Sequence, residues 1–237
     1  MKNNFEFPNT LFPLEGGDKS FQENWYKGRN LLNFPASYRI LLTGGVNSGK
    51  THSVKHIILR AKPHFEKIYL LHFDESSKDY EGVEIEEEFK DVPDPLFFSN
   101  DKQTKKLLIV EDVCFTQLNK EQRKKYNRLL GYTSSHCNLS ICINNQNMID
   151  VPASIRRMCN IFVLFRTEDM NLLGIIAKRV GISTKDLFYI FENFITEPHD
   201  SLWIDLTRGT PCKLRINGFH RLVKVKNGKS FSYEIEN

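Results

Sequence analysis

A glycine-rich octapeptide constrains this chain more than any other feature of its sequence. Residues 44–51 read GGVNSGKT, which fits the pattern G-x-x-x-x-G-K-[ST], and they follow the run YRILL at 38–42, which predicts a short buried strand. A loop of this kind between a strand and a helix wraps phosphates with its backbone N–H groups, and the helix presents its positive N-terminal end to them. Glycine permits the close backbone approach and the φ values that the loop needs. The octapeptide therefore predicts a site for the phosphates of a nucleotide.

Two side chains of the octapeptide carry the chemistry of such a site. Lys50 is expected to reach the β- and γ-phosphates, and the Thr51 hydroxyl is expected to ligate Mg²⁺. The loop thus predicts ATP or GTP with magnesium, the alternative being a glycine-rich turn that merely precedes a helix. The predicted nucleotide-binding residues are Gly44, Gly45, Val46, Asn47, Ser48, Gly49, Lys50 and Thr51.

The size and composition of the chain fit one globular domain with appendages. Its 237 residues can bury one good core, and a content of 40% hydrophobic and 26% charged residues argues against extensive disorder. No apolar run approaches the roughly 18 residues needed to span a bilayer. The residues after Met1 lack the basic and apolar regions of a signal peptide. We therefore expect no membrane span and a cytosolic protein.

Charge is distributed unevenly along the chain, although the formal net charge is only +4. The segment 74–94 is strongly acidic, whereas two blocks at 120–128 and 215–226 are basic. Basic blocks can follow the phosphates of a nucleic acid. For the first block, a solvated helix face is an equally good explanation. The basic residues of the two blocks are Lys120, Arg123, Lys124, Lys125 and Arg128, and then Arg215, His220, Arg221, Lys224 and Lys226.

Strand-like and helix-like segments alternate along most of the chain. Predicted strands lie at 39–42, 67–73, 106–110, 139–143 and 161–165, with further short strands at 96–99, 202–206 and 213–216. Predicted helices lie at 51–60, 120–130, 153–157, 170–180 and 183–194. Such alternation is typical of an α/β fold in which crossover helices cover both faces of a mostly parallel sheet. We divide the chain into an N-terminal arm at 1–34, a domain at 35–221 that contains the phosphate-binding loop, or P-loop, at 44–51, and a C-terminal tail at 222–237.

A second motif, LLIVED at 107–112, places two acids directly after an apolar strand. In open α/β sheets ligands bind at the carboxyl ends of the strands, so Glu111 and Asp112 are expected to face the P-loop. One acid should hold Mg²⁺ and the other should polarise an attacking water. The pair favours hydrolysis over transfer to a bound acceptor. The alternative is that the two acids merely begin a loop.

The next two segments supply amides and guanidinium groups. The predicted strand at 139–143 runs into Asn144, Asn145 and Gln146, and Gln146 or Asn145 is expected to sense the γ-phosphate or orient the water. Polar residues that only cap a turn are the alternative. Arg156 and Arg157 follow a proline-started helical turn, where one of them could act as an arginine finger for a neighbouring subunit. For Arg157 we favour a salt-bridged surface position.

Together these motifs resemble those of the viral DNA-packaging ATPases of the FtsK–HerA superfamily, in particular the poxvirus-type packaging ATPase and its relatives in other large DNA viruses, virophages and polinton-like elements. The resemblance extends from about 34 to 221, and the spacing between its pieces is also similar. It implies an ASCE or RecA-like P-loop NTPase fold. The matching pieces are ILLTGG at 40–45 with SGKT at 48–51, LLI at 107–109 with the two acids and Val113, His136 with Asn138 and Ser140, Gln146, and Val151-Pro152 with Arg156.

Two positions depart from the family pattern. The first acid of the second motif is usually Asp in that family, whereas here the order is Glu111-Asp112. By position Glu111 resembles the acid on the metal side and Asp112 the catalytic acid, although the two could exchange roles. The family often has Arg before the His of the helix-to-strand turn, where this chain has Ser135. Arg156 matches the family arginine better than Arg157 does.

The resemblance implies an ATP-driven motor that moves double-stranded viral DNA into a preformed capsid. It implies a ring of identical subunits, a pentamer or a hexamer, with nucleotides at the subunit interfaces, and a capsid or packaging-vertex protein as partner in the host cytoplasm. ATP and Mg²⁺ are the implied cofactors, with Thr51 and Glu111 toward the metal. The implied catalytic residues are Glu111, Asp112, Gln146 and Arg156.

Two other classes of protein share part of this pattern. A P-loop nucleotide or nucleoside kinase fits the size of the chain, but it needs an arginine-bearing lid, and no such segment stands out between Gln146 and Phe165. An ATP-binding assembly protein with little turnover is the alternative outside the enzymes. The paired acids Glu111 and Asp112 argue against it.

Overall fold

The structure is a computed structural model that describes residues 34, 37–61, 63–73, 78–207, 210, 212–227 and 230–236. The predicted N-terminal arm at 1–34 lies outside the described residues, apart from Phe34. Within the described part of the chain, no helix has both the length and the apolar character needed to cross a membrane.

A ten-stranded sheet runs through the whole domain, in the order β10-β9-β8-β7-β6-β1-β5-β4-β2-β3. The strands from β6 to β3 in this order pair in parallel, and those from β6 to β10 pair antiparallel. The strands are β1 (Arg39–Thr43), β2 (Lys67–Leu71), β3 (Glu87–Phe89), β4 (Lys106–Glu111), β5 (Leu139–Asn145), β6 (Ile161–Phe165), β7 (Ser201–Asp205), β8 (Leu214–Ile216), β9 (His220–Asn227) and β10 (Ser230–Glu236).

Helices connect these strands and cover both faces of the sheet. They are α1 (Lys50–Arg60), α2 (Pro95–Ser99), α3 (Lys120–Arg128), α4 (Ser134–His136), α5 (Ala153–Met158), α6 (Met170–Val180) and α7 (Thr184–Phe194). A π-helical turn at Leu129–Thr133 joins α3 to α4, and 3₁₀ turns lie at Lys78–Tyr80 and Met148–Asp150. The predicted mostly parallel sheet with helices on both faces is confirmed.

The central strand β1 divides the core into two layers. Leu41 points into one apolar cluster together with Ile176 of α6 and Ile190 of α7. Its neighbour Leu42 points into the other cluster, which contains Ile57 of α1. Because successive side chains of a strand point to opposite faces, one apolar strand contributes to both layers. Burial on both faces explains why β1 reads as a continuous apolar run.

Two segments differ from the expectations. The predicted strand at 96–99 is the short helix α2, because Pro95 takes the first helical position and the Asp94 side chain accepts a hydrogen bond from the backbone N–H of Leu96 at 2.8 Å. The predicted boundary between domain and tail, at 221, falls within β9. Strands β9 and β10 pair with each other and extend the sheet through β8, so the described part of 222–237 continues the fold.

Candidate active site

Three parallel strands deliver the predicted site to one edge of the sheet. The P-loop follows β1, Glu111 ends β4, and Asn144 and Asn145 end β5. In the sheet register Thr43 lies beside Asn145, and Glu111 lies beside Asn144. The carboxyl ends of these strands therefore meet, as the sequence predicted.

The backbone of the P-loop requires glycine at two positions. Gly49 has φ 102°, in the left-handed region that disfavours a side chain. A Cβ at Gly44 would lie 2.6 Å from both Cβ of Phe165 and Oγ of Ser48. The loop is thus held close to β6, and α1 begins at its end with an N-cap residue, Gly49, that has no side chain to cap the first amides. The N-terminal amides of α1 present an electropositive helix end to the loop.

Lys50 spans the P-loop from within. Its Nζ donates hydrogen bonds to the backbone oxygens of Gly44 at 2.8 Å and Gly45 at 2.9 Å. Burial lowers the pKa of this ammonium, and the nearby charges of Asp112 and Glu111 oppose that effect. The ammonium therefore lies in the loop, opposite the two acids.

A cavity of about 440 Å³ lies between the P-loop and the ends of β4 and β5. Gly44 and Gly45 line a second, smaller cavity, together with Gln146 and Arg166. The larger cavity is lined by Val46, Asn47, Ser48, Gly49, Lys50, Thr51, His52, Lys55, Asp79, Glu111, Asp112 and Gln146. The structure thus brings together the predicted nucleotide-binding residues, both acids and Gln146.

Glu111 is held at the floor of the cavity by two neighbours. The Tyr80 hydroxyl donates to Oε1 of Glu111, and Nδ2 of Asn144 donates to the same oxygen at 2.6 Å. The Asn144 amide also reaches the Tyr80 hydroxyl at 3.2 Å. Burial raises the pKa of Glu111 to about 7, against the effect of these two hydrogen bonds. Burial also raises the pKa of Tyr80, so the phenol remains a donor.

Asp112 lies in a different environment from Glu111. Its side chain is exposed, and Oδ2 accepts a hydrogen bond from Nε2 of Gln146 at 3.1 Å. Its φ of 40° turns the backbone away from β4, while its N–H still donates to the backbone oxygen of Asn144 at 3.0 Å. Glu111 is therefore enclosed and fixed, whereas Asp112 is open to water beside the amide of Gln146.

The residues around the cavity fit a magnesium–triphosphate group. Ser48 Oγ is buried without a hydrogen-bond partner in the described structure, at a loop whose helix end has uncapped amides. Thr51 and Glu111 offer a hydroxyl and a carboxylate, which are oxygen ligands of the kind that Mg²⁺ prefers. Lys50 adds a positive charge on the phosphate side.

Arg156 does not join this cavity within the single chain. Its Nη1 donates to the backbone oxygens of Met148 at 3.0 Å, Ile149 at 3.2 Å and Val151 at 2.8 Å, and so closes the turn before α5. Arg157 is exposed, and its Nε donates to the Ala153 oxygen at 3.1 Å. A role for either arginine in a neighbouring subunit stays a prediction.

The sequence did not single out five residues of the site, namely Tyr80, Asp79, Asn144, His52 and Lys55. Asn144 directly follows the predicted strand that runs toward Gln146, and this position was a usable signal. Tyr80 and Asp79 lie in the acidic segment at 74–94, which reads as a surface excursion. Their 3₁₀ turn instead packs Tyr80 against the ends of β4 and β5.

Ion pairs account for most of the second basic block. Arg215 pairs with Asp205 at 3.3 Å inside the protein, Arg221 pairs with Glu236 at 2.9 Å, and Lys224 pairs with Asp186 at 2.6 Å. These three cations stabilise contacts within the chain. The second basic block is therefore less available to bind phosphates than its composition predicted.

The sheet order, the loop between β1 and α1 and the acids at the end of β4 define a P-loop NTPase fold. Solved structures with this fold include the DNA-packaging ATPase B204 from Sulfolobus Turreted Icosahedral Virus, with a TM-score of 0.56 and 16% identity over 76% of this chain and 96% of that one. Another is the genome packaging NTPase B204 from Sulfolobus turreted icosahedral virus 2 in complex with ATP-gammaS, with a TM-score of 0.55 and 16% identity over 77% and 97% of the two chains.

A third solved structure with this fold is the pCW3 conjugation coupling protein TcpA with ATPgS, with a TM-score of 0.51 and 14% identity over 70% of this chain and 57% of that one. No protein-family model matches the sequence, and no curated protein matches it. The likeness to viral genome-packaging ATPases that the motifs predicted is thus found in the fold.

Proposed function

We propose that this protein is an ATP-hydrolysing motor that moves double-stranded viral DNA into a preformed capsid. The observation that carries the proposal is one cavity in which Lys50 and Thr51 of the P-loop face Glu111, Asp112 and Gln146. The fold shared with packaging ATPases supports the same function, at low sequence identity.

Each of the main cavity residues has its own role in the proposed hydrolysis. Lys50 neutralises charge on the β- and γ-phosphates, and the α1 amides bind the phosphate oxygens. Thr51 and Glu111 would hold a magnesium ion, which would supply further charge neutralisation when bound. Asp112 is open to water and polarises the attacking water. Gln146, which is hydrogen-bonded to Asp112 at 3.1 Å, senses whether the γ-phosphate is present.

The assignment of the two acids follows their environments. Glu111 is fixed on two sides and its position is set by Tyr80 and Asn144, as suits a residue that holds a ligand in one place. The exposed Asp112 has room for a water beside it. An exchange of these roles remains the alternative, because both carboxylates line the same cavity.

The arrangement also supports an oligomer that shares its sites. Lys50, Lys55 and His52 are the basic side chains among the described residues that line the larger cavity, and the arginine that lines the smaller one, Arg166, pairs with Glu168 through Nε at 3.5 Å. A guanidinium from a second copy would complete the charge stabilisation of the transition state. We therefore propose a ring, a pentamer or a hexamer, in which Arg156 serves a neighbour's nucleotide and a capsid or packaging-vertex protein docks the ring. The proposed location is the host cytoplasm.

The test is ATP hydrolysis measured with and without duplex DNA, alongside oligomer mass. We expect turnover to rise when DNA is added and to depend on protein concentration as the ring forms. Phosphoryl transfer to a small acceptor without DNA would identify a kinase instead, and nucleotide binding without turnover would identify an assembly protein.

Mixed assemblies test the shared site. Arg156→Ala subunits mixed with Lys50→Ala subunits should regain hydrolysis if the arginine acts on a neighbour, because some sites then combine an intact P-loop with an intact arginine. If no mixture regains activity, Arg156 acts only within its own chain, where it closes the turn at Met148–Asp150.

A further inference from the structure

The first basic block forms a continuous uncompensated stripe on helix α3. Lys120, Lys124 and Arg128 follow one another at four-residue steps, each step rising roughly 6 Å along the helix. All three side chains are exposed. Within the described part of the chain, none of them forms an ion pair or a side-chain hydrogen bond. The remaining cations of the block are engaged, since Lys125 pairs with Glu121 at 3.6 Å and Arg123 donates to the Thr116 oxygen at 3.1 Å.

An exposed aromatic pair continues this stripe. Tyr132 is 52% exposed, and the ring of His136 stacks on it with centroids 4.3 Å apart and an interplanar angle of 26°. The π-helical turn at Leu129–Thr133 carries Tyr132 between α3 and α4. Turns of this kind are rare and occur frequently at functional sites.

Arg39 fixes the backbone beneath the aromatic pair. Its Nη1 donates to the backbone oxygen of Leu130 at 3.1 Å and to Oγ of Ser135 at 3.1 Å. The first bond satisfies a carbonyl of the π-helical turn, and the second ties α4 to β1. Strand β1, which leads into the P-loop, thus also fixes the position of the segment that holds Tyr132 and His136.

We propose that this surface, Lys120, Lys124, Arg128, Tyr132 and His136, binds the backbone of duplex DNA. The step between the cations is close to the separation of successive phosphates along one strand, so each cation can meet its own phosphate. Tyr132 and His136 offer a flat apolar face with polar edges to the adjoining sugar and phosphate. The surface reads no base sequence, as suits a protein that moves along DNA of any sequence. This inference rests on the proposed function and adds the residues that carry the DNA.

The stripe could instead face the acidic edge strand β3 of a second copy. Such an occupant would make α3 part of the ring interface. The same set of variants separates the two occupants, because one predicts a loss of DNA affinity and the other a loss of oligomer mass.

The experiment measures the binding of the full chain to a fluorescent duplex of random sequence at several salt concentrations. For Lys124→Gln/Arg128→Gln we expect roughly tenfold weaker binding and a salt slope smaller by about two, one for each lost phosphate contact. Tyr132→Ala should weaken binding severalfold without changing the slope, because it removes no charge. The matched control is Lys178→Gln/Lys185→Gln, which removes two exposed lysines from α6 and α7 and should leave binding and slope unchanged.

The outcomes separate this inference from the proposed function. If wild-type hydrolysis rises with DNA but the Lys124 and Arg128 variant binds with wild-type affinity and slope, the stripe is not the DNA surface. If that variant loses oligomer mass while the DNA affinity of each subunit is kept, the stripe belongs to the ring. If the wild-type chain neither binds duplex DNA nor responds to it, both the inference and the proposed motor are overturned. The variants should keep their DNA-independent hydrolysis, because none of these residues lines the nucleotide cavity.

Discussion

Tyr80 donates a hydrogen bond to Glu111 at the floor of the nucleotide cavity. Tyr80 comes from a 3₁₀ turn inside the acidic segment, and Glu111 ends the strand β4. Asn144 Nδ2 donates to the same carboxylate oxygen at 2.6 Å, so one oxygen of Glu111 is occupied and the other is left for a ligand. The conformation of Glu111 therefore depends on a residue more than 30 positions earlier in the chain.

Tyr80→Phe keeps the ring and removes the hydroxyl that positions Glu111. We expect kcat to fall about tenfold, the equivalent of about 1.4 kcal/mol, while ATP affinity changes little, because the P-loop is untouched. Steady-state kinetics and nucleotide binding measure the two effects. Tyr126→Phe is the matched control, since its buried hydroxyl has no hydrogen-bond partner in the described structure. Equal kinetics for the Tyr80 and Tyr126 variants would contradict the positioning role.

The pH dependence of stability should report the burial of Glu111. Burial raises its pKa from 4.5 to about 7, so between these values the folded protein binds more protons than the unfolded chain. Glu111 therefore makes its full contribution to the free energy of unfolding below about pH 4.5, and this contribution disappears as the pH rises through about 7. Glu111→Gln removes this contribution.

Without nucleotide, the difference in unfolding free energy between Glu111→Gln and the wild-type chain should shift in favour of the variant by on the order of 2 kcal/mol between pH 5 and pH 8. Urea titrations at the two pH values measure it. Parallel curves for the two proteins across this range would show that Glu111 is not held in a buried, proton-retaining state.

Asp112→Asn should block hydrolysis and leave nucleotide binding intact. Asparagine tolerates the φ of 40° at this position and keeps the side-chain shape, so the fold should be unaffected. The lost carboxylate should cost about 10²-fold or more in single-turnover rate. A normal rate in this variant would assign the catalytic role to Glu111 instead.

Two adjacent glycines of the P-loop should respond differently to alanine. In Gly44→Ala the new Cβ meets Phe165 and Ser48 at 2.6 Å, whereas a Cβ at Gly45 meets nothing within 4 Å. We expect Gly44→Ala to lower the free energy of unfolding by about 1–3 kcal/mol and Gly45→Ala by less than about 0.5 kcal/mol. Thermal unfolding of both variants is the measurement, and equal midpoints would contradict the close packing of the loop against β6.

The sequence predicted the parts of this protein that depend on local pattern. The loop at 44–51 and the acids after β4 lie where strand ends must meet, so their proximity follows from the parallel alternation alone. The apolar strands β1, β4, β5 and β6 were visible because burial on both faces makes them continuous hydrophobic runs.

The missed features depend on contacts that are distant in sequence. The edge strand β3 consists of Glu87, Glu88 and Phe89, and such residues give no apolar signal. Tyr80 was missed for a similar reason, because its charged neighbours indicated a surface loop. In the segment 96–99, Leu96 and two phenylalanines favoured a strand, but Asp94 and Pro95 begin a helix there.

The local sequence also does not show which of the two basic blocks forms ion pairs in the fold. Both have a similar composition, but Asp205, Asp186 and Glu236 approach only the second block, and they do so through the fold. Composition could not distinguish cations that stabilise the chain from cations that are free to meet a ligand. Among the described residues, the structure pairs three cations of the second block and leaves the three cations of the α3 stripe without an ion-pair partner.

The most direct test of the proposed motor is ATP-dependent displacement of a third strand from a DNA triplex, which reports movement along the duplex. We expect the full chain to displace the strand with ATP and Mg²⁺, and Asp112→Asn to bind ATP and DNA without displacing it. Hydrolysis of ATP without displacement, or displacement that Asp112→Asn retains, would contradict the proposal that this site drives movement along DNA.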